Sequence, residues 1–171
     1  TNSDPWVLYV RPVGAVTPVR LGGTEDATQP FWSPDSRSIA FITHGKLKRV
    51  EASGDAPQEI CDAPPEFSGG TWNRDGRIVF GSPAGLFVVP AEGGTPTALT
   101  TPGEGEGGHF WPRFLPDGRH YLYLAGSGQV KGRSIYAGAI DSKDRTKILE
   151  ADTSAVYTAG HLVFIRNDTA F

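Results

Sequence analysis

Apolar residues along this chain fall into short runs and alternations that predict β-strands. The runs at residues 39–42 and 86–89 are continuous, which indicates strands covered on both faces. Turn-forming residues separate the runs, and no 3.6-residue periodicity persists long enough to support helical repeats. The pattern therefore predicts an all-β fold built from many short strands.

The strand pattern recurs with a period of about forty residues, which marks an internal repeat. Asp35, Asp75 and Asp117 lie at equivalent positions, and each is followed two residues later by an arginine. Each of these aspartates is also preceded, three positions earlier, by an aromatic residue: Trp32, Trp72 and Phe114. Agreement across so many positions indicates repeated copies of one structural unit.

Each copy is expected to fold as four antiparallel strands. In the second copy the predicted strands are residues 69–73, 78–82, 86–91 and 95–100, with a tight turn at 74–77. The Asp-Gly pair in that turn suits a hairpin, because glycine accepts positive φ and aspartate bonds nearby amides. Four antiparallel strands per copy favour a β-propeller over a parallel β-helix, whose coils would be shorter.

The repeat predicts that residues 1–171 form one propeller segment, which divides into blades. The complete blades are predicted at 29–68, 69–108 and 109–152, and the partial blades at 1–28 and 153–171. The first partial blade supplies a third and a fourth strand, and the last supplies a first strand, a second strand and the start of a third. Such an arc exposes unpaired strand edges, which recruit other chains. We therefore expect this segment alone to form either a strained four-bladed ring or, as the favoured alternative, an arc that self-associates. The natural ring is expected to contain more than four blades.

Three stretches around the turn aspartates resemble the signature of WD40-like propeller repeats of the TolB type. They are residues 31–41 (FWSPDSRSIAF), 71–80 (TWNRDGRIVF) and 114–123 (FLPDGRHYLY). The resemblance extends over essentially the whole chain and implies the propeller fold. It implies little about function, because repeats of this kind are scaffolds.

A narrower resemblance is to the C-terminal propellers of certain bacterial serine/threonine protein kinases, and residues 109–119 (HFWPRFLPDGR) carry most of it. It implies a sensor or interaction module on the periplasmic or extracellular side of the membrane. No kinase glycine-rich loop or catalytic Asp motif occurs in the chain, so no kinase activity is expected of it.

Charge and composition argue against several classes of function. A net charge of −3 disfavours general nucleic-acid binding, and no apolar run approaches the ~18 residues that a membrane helix requires. Membrane insertion by this segment is therefore not expected. The chain contains no Met, which indicates a processed protein or a fragment, and its single cysteine, Cys61, excludes an internal disulfide.

The sequence predicts no catalytic or cofactor-binding constellation. The histidines lack metal-ligand spacing, so no metal or other cofactor is expected: His44, His109, His120 and His161. The glycine-rich stretch 103–108 lacks the Lys-Ser/Thr ending of a phosphate loop, and residues 126–128 do not match the Gly-x-Ser-x-Gly motif of hydrolases. Trp32 and Trp72 share one repeat position and are expected to pack between blades.

Acidic residues recur in the connections between the fourth strand of one blade and the first strand of the next. Propellers place these connections on one face, together with the second-to-third-strand connections. The candidate binding rim consists of these acids and one histidine: Glu25, Asp26, Asp62, Glu66, Glu104, Glu106, His109, Glu150 and Asp152. The cations that partly offset it are His44, Lys46, Lys131 and Arg133. These acids are either ordinary polar loop residues or a mouth that attracts a cation or a basic partner.

Taken together, these features favour a non-catalytic module that binds a protein or peptide, with a basic ligand favoured by the rim. A propeller presents many loops on a rigid ring, which suits recognition. The alternative is enzymatic: the accessory propeller of a prolyl-oligopeptidase-type peptidase or other hydrolase, or a small glycan- or metal-dependent enzyme. A hydrolase motif beyond residue 171 would favour the peptidase.

Overall fold

The computed structural model describes residues 5–127, 132–166 and 169–170. Within those ranges every regular element is a β-strand, so the predicted all-β class is confirmed. The same ranges hold no helix long and apolar enough to cross a membrane. The strands are β1 (Tyr9–Val10), β2 (Val19–Arg20), β3 (Thr28–Trp32), β4 (Ser38–Thr43), β5 (Lys46–Glu51), β6 (Gln58–Asp62), β7 (Gly70–Trp72), β8 (Arg77–Ser82), β9 (Gly85–Pro90), β10 (Thr97–Ala98), β11 (His109–Phe114), β12 (His120–Ala125), β13 (Ser134–Ala139), β14 (Arg145–Glu150), β15 (Val156–Thr158), β16 (His161–Val163), β17 (Ile165–Arg166) and β18 (Thr169–Ala170).

Three groups of four consecutive strands form antiparallel meanders, which we call blades. Blade 1 comprises β3–β6, blade 2 comprises β7–β10 and blade 3 comprises β11–β14. Blades 2 and 3 belong to one eight-stranded sheet, because His109 at the start of β11 pairs with Ser82 at the end of β8. This single residue pair joins the blades at one corner and leaves each meander intact.

A partial blade, which we call a half-blade, flanks the three blades at each end. The N-terminal half-blade consists of β1 and β2, which pair antiparallel as the predicted third and fourth strands. The C-terminal half-blade consists of β15–β18: β15 pairs with β16 as the predicted first and second strands, and β18 pairs with β17 as the start of a third. Within the described ranges the two half-blades form no strand pairs with each other.

The turn aspartates lie between the first and second strands of blades 1 to 3, as predicted. Asp35 and Asp117 each accept a hydrogen bond from the backbone N–H two residues later, at 3.1 Å and 2.9 Å. In blade 2 the side chain of Asn73 takes this role and accepts from the N–H groups of residues 75 and 77. Because these bonds are local, the turn sequence alone is sufficient to set the hairpin.

The core consists of four apolar clusters, each lying between neighbouring blades or half-blades. Side chains of the second strand alternate between the two clusters beside it. In β4, Ile39 and Phe41 face the N-terminal half-blade, whereas Ala40 faces blade 2. The same alternation occurs in β12, which lies between blade 2 and the C-terminal half-blade. Burial on both faces explains the continuous apolar runs of these strands.

A left-handed residue lies in or directly before the first strand of each blade, and the sequence does not predict it. Gln29, Gly69 and Trp111 each lie six residues before a turn aspartate, and their φ angles are 51°, 72° and 48°. The Gln29 side chain reaches the connection that enters blade 2: its Nε2 donates to Phe67 O, and its Oε1 accepts from Gly69 N, each at 2.7 Å. The irregularity thus links neighbouring blades.

The prediction that Trp32 and Trp72 both pack between blades is wrong for Trp32. Trp72 packs against the cluster between blades 1 and 2, whereas Trp32 is 48% exposed. Trp32 lies opposite Ile39 in the β3–β4 ladder, on the face directed towards the N-terminal half-blade. That half-blade contains only third- and fourth-strand equivalents. Among the residues described, no first or second strand therefore covers the indole of Trp32.

Candidate functional site

The connections that enter each blade and the turns between second and third strands meet at one end of the blades, which we call the loop face. In blade 1, Thr43 Oγ1 donates to Glu25 O at 2.7 Å, and Asp26 Oδ2 lies 3.2 Å from His44 Nε2. In blade 3, Gly107 N donates to Gly126 O at 2.8 Å. These contacts join the two kinds of connection into a continuous surface.

Most of the predicted rim acids on this face are paired with a basic side chain. The ion pairs are Glu25–Arg20, Asp62–Lys46, Glu106–Arg145 and Glu150–Lys147, and Asp26 contacts the imidazole of His44. Asp152 is half-buried and its backbone N–H donates to Ile165 O. Glu66 and Glu104 are exposed and form no ion pair with any residue that the structure describes. The negative charge therefore concentrates at fewer positions than the sequence indicates.

Beneath the loop face, Glu106, His109 and Arg145 form a polar cluster at the junction of blades 2 and 3. Glu106 lies in the connection entering β11, His109 is the first residue of β11, and Arg145 is the first residue of β14. Arg145 Nη1 lies 2.8 Å from Glu106 Oε2, and His109 Nε2 lies 3.1 Å from the same oxygen. His109 is completely buried, so it supports the rim from below and cannot contact a partner directly.

His109 Nε2 lies 3.1 Å from Glu106 Oε2 and 3.2 Å from the Arg145 guanidinium, and the bond to the carboxylate favours the tautomer with the proton on Nε2. An ionised carboxylate only accepts, so Nε2 carries the proton that is donated to Glu106. Nδ1 then accepts from the Thr100 hydroxyl at 2.6 Å, and Thr100 Oγ1 accepts from the backbone N–H of Leu86 at 2.9 Å. This series of hydrogen bonds satisfies both nitrogens of the buried imidazole. It also connects the backbone of blade 2 to the loop that enters blade 3.

Burial and charge set the protonation states of the cluster. Burial lowers the pKa of His109 below its ordinary value of 6.5, and Arg145 acts in the same direction while Glu106 opposes it. Burial would raise the pKa of Glu106, but hydrogen bonds from Arg145, the Gly103 N–H and His109 outweigh it and lower the pKa to about 2. At neutral pH the imidazole is neutral and the carboxylate and guanidinium balance each other.

Aromatic rings hold the cluster from the interior. The His109 ring lies 4.8 Å from the ring of Tyr123, and the Arg145 guanidinium lies 4.9 Å from the centre of the Tyr136 ring, within cation–π range. The Tyr123 hydroxyl is buried and completes no hydrogen bond in the part of the chain that the structure describes. Burial raises the pKa of Tyr123 to about 12 even though Arg145 lies nearby, so the phenol stays protonated.

A cleft of about 300 Å³ opens on the loop face above this cluster. Its walls include Glu104, Glu106, Ser127, Ser134 and Tyr136. The predicted cation Lys131 lies outside the described residues. The cleft therefore combines a fixed, ion-paired carboxylate at its base with an exposed one, Glu104, at its rim.

A larger cleft, about 410 Å³, lies at the opposite end of blades 1 and 2, which we call the turn face. It is lined by Asp35, Arg49, Trp72 and Arg74 among other residues, so charges of both signs border it. The sequence does not predict this cleft, because its shape depends on the gap between the turns of adjacent blades.

The loop-face cluster lacks the geometry of nucleophilic catalysis. Thr100, His109 and Glu106 follow the order of nucleophile, base and acid, but the imidazole is completely buried and Thr100 Oγ1 already accepts from Leu86 N–H. No group of three or more potential metal-ligating side chains occurs in the described ranges. The arrangement holds a surface rigid and fixes the position of a carboxylate.

Sequence reasoning identified Glu106 and His109 but missed Arg145, Thr100 and Tyr123. The partners of Glu106 and His109 lie on other strands, and Arg145 is 39 residues from Glu106 in the chain. Only the Glu-x-x-His spacing was visible in the sequence.

No family model matches the chain. Among solved structures, TolB from Acinetobacter baumannii superposes with a TM-score of 0.64 at 12% identity, covering 96% of this chain and 47% of TolB. This chain has the fold of a TolB-like β-propeller. The predicted fold class is thereby confirmed, and at this level of identity the likeness concerns the fold alone.

Two further comparisons place the propeller among longer proteins. An uncharacterised protein of Agrobacterium fabrum, Atu1656, is 28% identical over 133 residues, which cover 72% of this chain and 43% of that protein. A prolyl endopeptidase structure matches with a TM-score of 0.66 at 19% identity, covering 92% of this chain and 28% of the peptidase. The chain thus spans less than half the length of the curated relative that it matches.

Proposed function

We propose that this propeller is a non-catalytic binding module whose loop face recognises a basic segment of a protein or peptide. The observation that carries the proposal is the exposed Glu104 carboxylate at the rim of a cleft whose base, Glu106, is fixed by Arg145, Gly103 N–H and His109. Glu66 adds a second exposed carboxylate to the same face.

Rigidity supports recognition by this face. The carboxylate of Glu106 is ordered before a ligand arrives, so binding does not have to order it. Negative charge on one face attracts a cationic segment and accelerates its encounter. The resemblance to kinase propellers supports a sensor or interaction role on the periplasmic or extracellular side, and the likeness to TolB is compatible with a module that is not an enzyme.

Binding of a short fluorescent oligolysine peptide, measured by anisotropy, tests the proposal. We expect the dissociation constant to rise with salt, because exposed charges are screened. Glu104→Gln and Glu66→Gln should each weaken binding by about twofold to fivefold, the range typical of one exposed charge pair.

Glu92→Gln is the matched control, because Glu92 is an exposed acid in the turn between β9 and β10, at the turn face. It should leave the affinity for oligolysine unchanged. Binding that ignores salt, or that responds equally to all three substitutions, would refute recognition by the loop face.

The likeness to a prolyl endopeptidase favours a second candidate, the accessory propeller of a peptidase. In that case the chemistry would lie in a separate hydrolase domain of the same protein. The parent reading frame distinguishes the two: a Gly-x-Ser-x-Gly motif in it favours the peptidase, whereas a kinase domain and a membrane helix before residue 1 favour the sensor.

A further inference from the structure

The turn-face cleft between blades 1 and 2 has the dimensions of a small-ligand site. Its volume of about 410 Å³ lies within the range of roughly 300–1,000 Å³ that is typical of such sites. Blade 1 contributes Asp35 and Arg49 to one wall, and blade 2 contributes Trp72 and Arg74 to the other. Every residue that lines the cleft belongs to one of these two blades, and all four strands of each are described.

The two arginines of the cleft are held in place by neutral oxygen atoms. Arg49 Nε and Nη2 donate to Gln58 Oε1 at 3.1 Å and 2.9 Å. Arg74 Nη2 donates to the backbone oxygen of Pro116, in the first turn of blade 3. Neither guanidinium forms an ion pair with any residue that the structure describes. Each therefore keeps free N–H donors and a charge that no carboxylate neutralises.

The carboxylates beside the cleft already accept hydrogen bonds from within blade 1. Asp35 Oδ1 accepts from the Ser33 hydroxyl at 2.7 Å and from the Arg37 backbone N–H at 3.1 Å. Glu51 Oε1 accepts from the Ser38 hydroxyl at 2.7 Å. Both serines line the cleft, but each donates its only hydroxyl proton to one of these acids. The serines therefore have no donor left for a ligand.

Trp72 adds an apolar surface and one further donor to the cleft. Its half-buried side chain packs against the cluster between blades 1 and 2 and also lines the cleft. Its indole N–H makes no hydrogen bond within the described part of the chain. The unsatisfied groups of Arg49, Arg74 and Trp72 are all donors, because neither a guanidinium nor an indole accepts. An ionised carboxylate only accepts, and the guanidinium fork matches its geometry.

We propose that the turn-face cleft binds a carboxylate attached to a planar apolar body. Arg49 and Arg74 supply the donors for the carboxylate, and the indole of Trp72 packs against the apolar body. The site lies at the opposite end of the blades from the loop face, so it does not depend on recognition of a basic segment there.

Naphthoate is the probe for this site, and naphthamide is its neutral control of nearly the same shape. Both are titrated into the native chain, so this comparison does not depend on how any variant folds. We expect saturable binding of naphthoate with a large NMR shift of the Trp72 indole N–H. Naphthamide should bind about tenfold more weakly or worse, because hydrogen bonds to a charged acceptor are the stronger ones.

Substitutions of the arginines locate the site. Arg49→Gln should raise the dissociation constant of naphthoate by about tenfold, and Arg74→Gln, at a more exposed position, by about threefold. Arg77→Gln is the matched control, because Arg77 is an exposed arginine at the end of the same turn and does not line the cleft. It should leave the affinity unchanged.

Asp35→Asn tests the sign of the charge that the cleft accepts. The amide oxygen of asparagine can keep the turn contacts, as Asn73 does in blade 2. Removing the negative charge of Asp35 should strengthen naphthoate binding by about twofold or more. Weaker binding in this variant would show that the cleft prefers a cationic or zwitterionic ligand, and would overturn the proposal.

A peptide arm distinguishes the two sources of such a carboxylate. Acetyl-Phe-Glu-amide carries it on a peptide side chain, whereas naphthoate carries it on a free small molecule. Whichever binds more tightly identifies the source, provided that Arg49→Gln weakens its binding. Equal affinity for naphthoate and naphthamide, no saturable binding of either carboxylate, or an equal loss in Arg49→Gln and Arg77→Gln would each refute the site.

Discussion

At the scale of single residues, the cluster under the loop face depends on Glu106, which accepts hydrogen bonds from Arg145, His109 and Gly103 N–H. Glu106→Gln removes the charge that balances the Arg145 guanidinium. We expect it to lower the free energy of unfolding by about 1–3 kcal/mol, measured by urea denaturation at neutral pH. Glu104→Gln, which removes an exposed acid two residues away, should change it by less than about 0.5 kcal/mol. Equal effects of the two substitutions would show that Glu106 is not part of a stabilising network.

Acid should weaken this cluster through both titrating members. The pKa of Glu106 in the folded chain is about 2, below its ordinary value of 4.5. Its contribution to the free energy of unfolding is therefore complete above about pH 4.5 and is lost as the pH falls towards 2. The pKa of His109 is also lowered from its ordinary value of 6.5. Burial of the neutral imidazole therefore costs no stability above about pH 6.5, and the free energy of unfolding declines as the pH falls below that value. His109 is present in both proteins, so the difference in unfolding free energy between the native chain and Glu106→Gln should narrow only below about pH 4.5, where Glu106 becomes protonated. A difference that stays constant as the pH falls from about 4.5 towards 2 would contradict the assignment of Glu106.

At the scale of elements, the strands and their turns follow from the sequence, whereas the left-handed residues in or directly before the first strands do not. Continuous apolar runs predict the second strands, because both of their faces are buried, and the local chemistry of the aspartate-containing turns predicts the hairpins. The left-handed position is occupied by Gln29, Gly69 and Trp111, three residue types with no shared signal. Its contacts cross between blades, and a single repeat does not contain that information.

The junction of blades 2 and 3 depends on close backbone approach at Gly81. A Cβ at this position would lie 2.6 Å from His109 O and 2.9 Å from Ser68 O, so the backbone would have to move. We expect Gly81→Ala to lower the free energy of unfolding by about 1–3 kcal/mol in thermal or urea denaturation. In Gly22→Ala the new Cβ meets no atom within 4 Å, so this control should be neutral or stabilising by up to about 1 kcal/mol. Destabilisation by both substitutions alike would exclude close packing as the cause.

At the scale of the whole molecule, the sequence was sufficient for the propeller fold but only partly for its surfaces. Repeat spacing placed Glu104 and Glu106 in the same connection, and the structure then separated them into an exposed carboxylate and a fixed, ion-paired one. Pairing of this kind depends on strand neighbours that are distant in the chain. The same dependence explains Trp32, whose exposure reflects which strands lie opposite it and not its own repeat position.

Recognition by the loop face is tested most directly by mapping amide chemical shifts while the oligolysine peptide is added. The loop-face account predicts that the largest shifts cluster around Glu66, Glu104 and Ser127, and that they diminish when salt is raised. Shifts concentrated around Asp35, Trp72 and Arg74 in the turn-face cleft would contradict it, as would an unchanged spectrum at saturating peptide.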